Sequence, residues 1–263
     1  MRVFASLLAI SLLAVAGRAD AAPRRVASLN LCTDELVLLL AAPEQIVSVT
    51  HLAQSEAETP LWRQARLHAR NDGSLLSAMP FHPDLVVTMG GGARDRLRIA
   101  ERLGIATIDL PFAQSLVDVG ESIRRLAVAL DRRAEGAALL RRMAALVRDT
   151  PSWRRDTIWL GGGGRTVSAH GPEAQWMALA GLGQRHIQGD RVSLETLLVK
   201  PPAILLRSDY RQGQYSNGQR WLAHPAARFV RGARMLPTDG RRWTCMGPLL
   251  IDEVARLRRA VTP

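Results

Sequence analysis

One lysine, Lys200, stands in the whole chain, so the formal charge of +11 rests on arginine. Arginines scattered through an alanine-rich sequence read as solvated surface, not as the clustered basic stripe of a nucleic-acid binder. Cysteine is scarce too: Cys32 and Cys245 are the only two, and neither sits where an export leader would be cut, so no lipid attachment point is expected. Beyond the first residues no apolar run approaches the ~20 residues that a membrane-spanning helix needs. The histidines lack the H-x-H or i, i+4 spacing of a legible metal site; His51, His170 and His186, with Asp209, come nearest to one. There is no G-x-S-x-G elbow and no ordered Ser, His and acid set, so an enzyme is not expected and an exported hydrolase is the rival class. Gly161 to Gly164 follow a strand but lack the lysine and Ser/Thr of a phosphate loop. Thr166-Val167-Ser168 reads as extended, which argues against a dinucleotide fingerprint. The glycine run therefore reads as a flexible loop that lets backbone approach a ligand.

What is present begins with an address. Arg2, an apolar run over residues 3–16 and the small-residue signal Ala19-Asp20-Ala21 form a cleavable leader over residues 1–21. A periplasmic location and a free, monomeric mature protein are expected. Two cysteines in an oxidising compartment suggest one disulfide, Cys32 to Cys245. The alternative is a pair of free thiols, with Cys32 at a helix start and available to a ligand metal.

Short apolar runs alternate with helical periodicity. Strands are expected at residues 26–29, 46–50, 85–89, 107–110, 157–160, 186–188, 203–207 and 234–236. Helices are expected at 34–40, 94–103, 116–130, 134–147, 175–180, 220–230 and 249–259. This alternation predicts an α/β protein with mainly parallel sheets covered by helices. The plan occurs twice. Residues 75–87 read as a short helix, a proline turn and a buried strand, and residues 195–205 repeat that order. Two Rossmann-like lobes follow, an N-terminal lobe over 22–130 and a C-terminal lobe over 151–263. Residues 131–150 hold no Gly/Ser/Pro linker but a run of Ala, Leu, Arg and Glu, which predicts one long, stiff helix between the lobes. Ligands of parallel α/β sheets bind at the carboxyl ends of the strands, which places a ligand cleft between the lobes.

Three stretches carry a family resemblance. The strand at 25–30 leads into Thr33-Asp34-Glu35-Leu36. The strand at 46–50 is followed downstream by Pro83-Asp84-Leu85-Val86-Val87. Leu103-Gly104-Ile105-Ala106-Thr107 turns into the next strand. In this order the chain, from Arg24 to about Val261, resembles the helical-backbone periplasmic binding proteins, the ABC-transporter receptors for cobalamin, ferric siderophores and haem. The resemblance implies a receptor without a cofactor of its own, whose partners are a small metal chelate and an ABC permease in the inner membrane. It implies docking to that permease through one acidic residue per lobe. Glu195 falls at the C-lobe position, while the matching N-lobe helix at 75–79 has no carboxylate; Asp72 and Glu56 are the substitutes. Cobalamin receptors line the cleft with rings, which are few here: Trp176, Tyr210, Tyr215 and Trp243 in the C-lobe, with His51 as the ring of the N-lobe loop. Arginines near the expected cleft loops are Arg70, Arg94, Arg165, Arg207, Arg211, Arg241 and Arg242, and guanidinium forks suit carboxylate or catecholate oxygens. The expected ligand is thus an anionic chelate, a ferric siderophore first, with cobalamin or haem as alternatives. Its expected contacts are Cys32, His51, Arg70, Arg94, Arg165, Trp176, Arg207, Tyr210, Arg242 and Trp243, with no protein-bound metal.

Overall fold

The computed structural model describes residues 22–91, 94–210 and 216–262. The leader expected over residues 1–21, and with it any test of cleavage, lies outside the described residues, as do Arg211 and Tyr215. No described helix is long and apolar enough to cross a membrane.

The chain opens with β1 (Val26–Ser28), α1 (Leu31–Leu40), β2 (Ile46–Thr50), α2 (Trp62–Ala65), β3 (Ala69–Asn71), α3 (Leu75–Ala78), β4 (Leu85–Met89), α4 (Arg94–Arg102) and β5 (Ala106–Leu110). Two long helices follow, α5 (Leu116–Ala129) and α6 (Arg133–Arg148). The second half holds β6 (Arg155–Leu160), α7 (Pro172–Leu179), β7 (Leu182–Gln184), α8 (Leu194–Val199), β8 (Ile204–Ser208), α9 (Asn217–Ala223), α10 (Pro225–Arg228), β9 (Arg234–Thr238) and α11 (Leu250–Val261).

The strands make two sheets, ordered β3-β2-β1-β4-β5 and β7-β6-β8-β9, with every pairing parallel. The protein is α/β with two Rossmann-like lobes, as the alternation of runs predicts. In each sheet the first strand sits inside and the chain winds outward in one direction, then the other. That puts a switch point between β1 and β4, and a second between β6 and β8. β1 is buried along its whole length, and β4 and β8 at all but one residue each, because helices cover both faces.

The cover is layered. Leu75, Leu97 and Ala100 of α3 and α4 pack on Ala27 and Val86 from outside the first sheet. Leu197, Leu222 and Ala227 of α8, α9 and α10 do the same for Ile158, Leu160 and Leu205. Between the two sheets lie α1, α5, α6, α7 and α11, whose apolar faces merge into one cluster running from Val26 to Val261. As expected, one long helix, α6, joins the sheets in sequence; α5 and α11 pack against it, and α7 packs on α11 and α5 in the same shared core.

Serine and asparagine set the helix starts. Asn30 caps α1 by accepting from the Cys32 N–H at 2.8 Å, and Ser74, Ser115, Ser193 and Ser216 cap α3, α5, α8 and α9 in the same manner. The serine cap, short helix, proline turn and buried strand of residues 74–89 recur at 193–208, so the internal echo is a repeated structural unit. Three expectations are corrected. The strand placed at 186–188 lies at Leu182–Gln184, where Gly181 turns the chain at φ +79°. The edge strand Ala69–Asn71 was not expected. The helix at 220–230 is two, because Pro225 lacks an N–H and opens a second helix capped by His224.

Candidate functional site

Loops from the carboxyl edges of the two sheets meet in a seam. Cys32, at the start of α1 just past β1, is bonded to Cys245, in the loop past β9, with the Cα atoms 5.2 Å apart. Further along, the Tyr210 hydroxyl, past β8, donates to Glu58 Oε2 at 2.6 Å. Arg241, past β9, donates to the Glu56 carbonyl at 2.7 Å. On the other flank Gln175 of α7 accepts from the Leu116 N–H at 3.2 Å and donates to the Gln114 carbonyl at 3.3 Å. These links cross between the lobes at three places.

The segment 51–61 that carries Glu56 and Glu58 is held at both ends by the first turn of α1. The Asp34 carboxylate accepts from the Thr50 N–H at 3.1 Å and from the Thr50 hydroxyl. Glu35 Oε1 accepts from the Thr59 hydroxyl at 3.0 Å. Both acids are buried. Burial pushes the Asp34 carboxyl up to about 7 against the opposing Thr50 and Ser28 hydrogen bonds. Burial likewise pushes Glu35 up to about 8, with Asp34 adding to the shift and the Thr59 bond and Arg242 opposing it. Glu35 Oε2 and Ser122 Oγ have no partner among the described residues, and both face a cavity of about 20 Å³ walled by Met89, Pro111 and the disulfide.

Positive charge at the C-lobe edge is largely answered by its own acids. Arg241 forks onto Asp239 with two bonds of 2.8 Å. Burial lifts the Asp239 carboxyl, but the hydrogen bonds and charge of Arg241 outweigh it and hold the group below its ordinary range. Arg207 Nε lies 3.5 Å from Asp209. Burial raises the Asp209 carboxyl, with Arg207 opposing. Arg242 lies 3.8 Å from Asp239 and donates to the Leu249 carbonyl at 3.2 Å.

The expected contact residues separate accordingly. Cys32, Arg207, Tyr210 and Arg242 come together at the seam. His51 is exposed on the 51–61 segment, its N–H bonded to the Asn71 carbonyl. Arg70, Arg94 and Arg165 are exposed on β3, α4 and the glycine loop, outside any salt bridge among the described residues. Two of the expected contact residues are buried. Trp176 is 0% exposed, its indole N–H donating to the Met246 carbonyl at 3.0 Å, and Trp243 is 3% exposed, donating to Thr238. Both rings are core, since a large ring with its N–H satisfied inside gains more from burial than from a cleft. No cluster of metal-ligating side chains exists among the described residues.

The glycine run is a packed turn. Gly162–Gly164 forms one tight turn packed against Gly218 at the start of α9, while Val192 donates its N–H to the Gly164 carbonyl. Gly164 has φ +75°, and an added Cβ would stand 2.6 Å from the Val192 carbonyl and 2.9 Å from the Trp221 ring. Glycine at 164 lets α9 close on the loop. Gly164→Ala is expected to cost about 2 kcal/mol or more, read from the midpoint of urea unfolding at constant slope.

Two residues passed over in the sequence lie at the N-lobe edge. Phe112, 54% exposed, rests its ring on Gly90 at the end of β4. Arg96 lines a pocket of about 180 Å³ at the β1–β4 switch point. The proline of Pro111-Phe112, directly after a strand, is the one signal that could have pointed to the ring.

A sequence model of the periplasmic binding protein family matches residues 26–228. No curated protein matches. Solved structures share the fold at low identity. A siderophore-binding protein, BauB, bound to two acinetobactin molecules and ferric iron, aligns with TM-score 0.71 and 14% identity over 92% of this chain and 94% of its own. A periplasmic haem-binding protein of Pseudomonas aeruginosa aligns with TM-score 0.63 and 18% identity over 90% and 92%. The periplasmic vitamin B12 binding protein of Vibrio cholerae gives 0.61 and 15% over 90% and 96%. With the family matched over most of its length, the chain belongs to the periplasmic binding proteins.

Proposed function

We propose that this protein is the substrate-binding component of an ABC importer, which captures a metal chelate, a ferric siderophore first, at the seam and delivers it to a permease in the inner membrane. The supporting observation is the meeting of two parallel carboxyl edges, the places where α/β sheets take ligands, in a chain of this family. The lobes are assigned to 22–130 and 151–263, the joint to 131–150, and the working form to a monomer. Arg70, Arg94 and Arg165, exposed and outside salt bridges, serve chelate oxygens better than Arg241 or Arg242, whose charge is answered within the lobe. The test is the absorption spectrum and mass of what copurifies with protein isolated from the periplasm. An equimolar ferric chelate is expected; a corrin or haem band would exchange the cargo, and turnover of added esters without a bound chromophore would overturn the receptor reading.

Docking is assigned to Glu195, exposed in the first turn of α8, where the backbone N–H groups and Ser193 hold its carboxyl below the usual range. In the repeated unit its counterpart is Leu76, 82% exposed. Asp72, held at about 2 by Ser74 and Ser77, is the ionised group beside it. Glu195→Arg is expected to abolish stimulation of the transporter's ATPase while leaving cargo affinity unchanged. Equal stimulation by the variant would remove Glu195 from the interface.

The links across the seam and the shared core also predict rigidity. Small-angle scattering curves with and without cargo should superimpose, and a marked fall in radius of gyration on binding would contradict it.

A further inference from the structure

The pocket at the β1–β4 switch point is walled by Leu75, Val86, Met89 and Leu97, with Thr88 on one side and Arg96 in its lining. Its volume, about 180 Å³, exceeds the ~150 Å³ of an apolar cavity that takes up benzene, so one aromatic ring fits. Charge selects the ring's substituent. On α4, Asp95 is paired with Arg98, and Glu101 accepts from the Thr107 hydroxyl at 2.8 Å, which leaves Arg96 outside any salt bridge among the described residues. A guanidinium offers a planar fork of donors that matches a carboxylate. The Thr88 hydroxyl donates to Asp109 at 2.8 Å, so the lone pairs of its oxygen remain to accept from a ring hydroxyl. Met89, at the carboxyl end of β4, is the one residue that lines both this pocket and the seam cavity.

We infer that this pocket is a subsite for an aryl carboxylate of the hydroxybenzoate class, with the ring on the Leu75–Val86–Leu97 wall, the carboxylate on Arg96 and a ring hydroxyl on Thr88. Resting on the receptor reading, it assigns the cargo an aryl-acid arm that reaches below α4 while the body of the chelate stays at the seam. No covalent step is involved.

The intact, oxidised protein is titrated with 4-fluorobenzoate and with fluorobenzene, followed by fluorine NMR. Fluorobenzoate is expected to bind with Kd on the order of 1 mM, as a ligand of some ten heavy atoms allows, and fluorobenzene more weakly. Arg96→Gln should weaken fluorobenzoate about tenfold or more and leave fluorobenzene unchanged. Arg96→Lys, which keeps the charge but loses the fork, should fall between. 2,3-Dihydroxybenzoate should displace the probe, and Thr88→Val should weaken this competitor alone. Because Arg96 is exposed, its variants fold as the parent does. Absence of fluorobenzoate binding at ~10 mM, or equal binding by parent and Arg96→Gln, overturns the subsite. The mass of the periplasmic cargo tests the receptor reading separately: a ferric chelate without an aryl acid leaves that reading standing and removes the arm assigned here.

Discussion

Replacing Cys32 and Cys245 with serine should remove roughly 5 kcal/mol of stability, the largest loss expected from any pair of substitutions outside the deep core. The bond spans a sequence separation of 213, and in the chain-entropy picture the stabilisation grows with the logarithm of the closed loop. A Cα separation of 5.2 Å is ordinary for a disulfide, so the backbone need not distort to accommodate it. The expectation is checked by urea unfolding of the oxidised parent, the reduced parent and the double serine variant. Reduced parent and variant should coincide, and both should lie well below the oxidised protein. Thiol titration of the unfolded, unreduced protein should find no free sulfhydryl. Two free thiols per chain would remove the bond, and with it the expected difference.

Stability should fall as pH rises from 5 to 9, and Glu35→Gln should flatten that fall. Asp34 and Glu35 carry protons up to about 7 and about 8 when folded, against 3.8 and 4.5 as ordinary values. Below pH 4 both states hold the protons and neither group biases folding. Above that, the unfolded chain releases them first, so each further pH unit favours unfolding by about 1.4 kcal/mol per group until the folded value is passed. The summed cost is on the order of 4 kcal/mol for each acid. Glutamine at position 35 keeps an acceptor for the Thr59 hydroxyl and has no charge to bury. The variant should match the parent near pH 5 and exceed it at pH 9. Asp72 and Asp239, held below their ordinary values, act in the opposite sense and lose their contribution only at acid pH. Denaturation curves of parent and variant at pH 5, 7 and 9 decide it; parallel profiles would show that Glu35 does not carry the slope.

The fold was legible wherever burial leaves a run of apolar residues. Residues 46–50 and 85–89 read as strands from sequence and are strands with those same limits. β3 and β7, each three residues long and carrying Arg70 or Gly183, bury too little to leave a pattern. The site was less legible, because a residue type does not report what it touches. Trp176 and Trp243 invite a stacking role, yet nothing local tells that Met246 and Thr238 already satisfy their N–H groups. The Glu58–Tyr210 bond joins residues 152 apart, a separation at which sequence carries no signal. Arg241 and Asp239 stand two residues apart, and that pairing could have been read locally.

The bond between Cys32 and Cys245 also decides what a pulling force can reach. If tension is applied through the two ends of the chain, the load passes across the sulfur bridge and bypasses the loop it closes. All of the second sheet and every strand of the first but β1 lie inside that loop, so while the bridge holds only β1 can be drawn out of a sheet. At ~3.4 Å per extended residue, some 700 Å of contour is withheld. Under load the oxidised protein is a short tether that gives up β1 and α11, whereas the reduced protein pays out its full length.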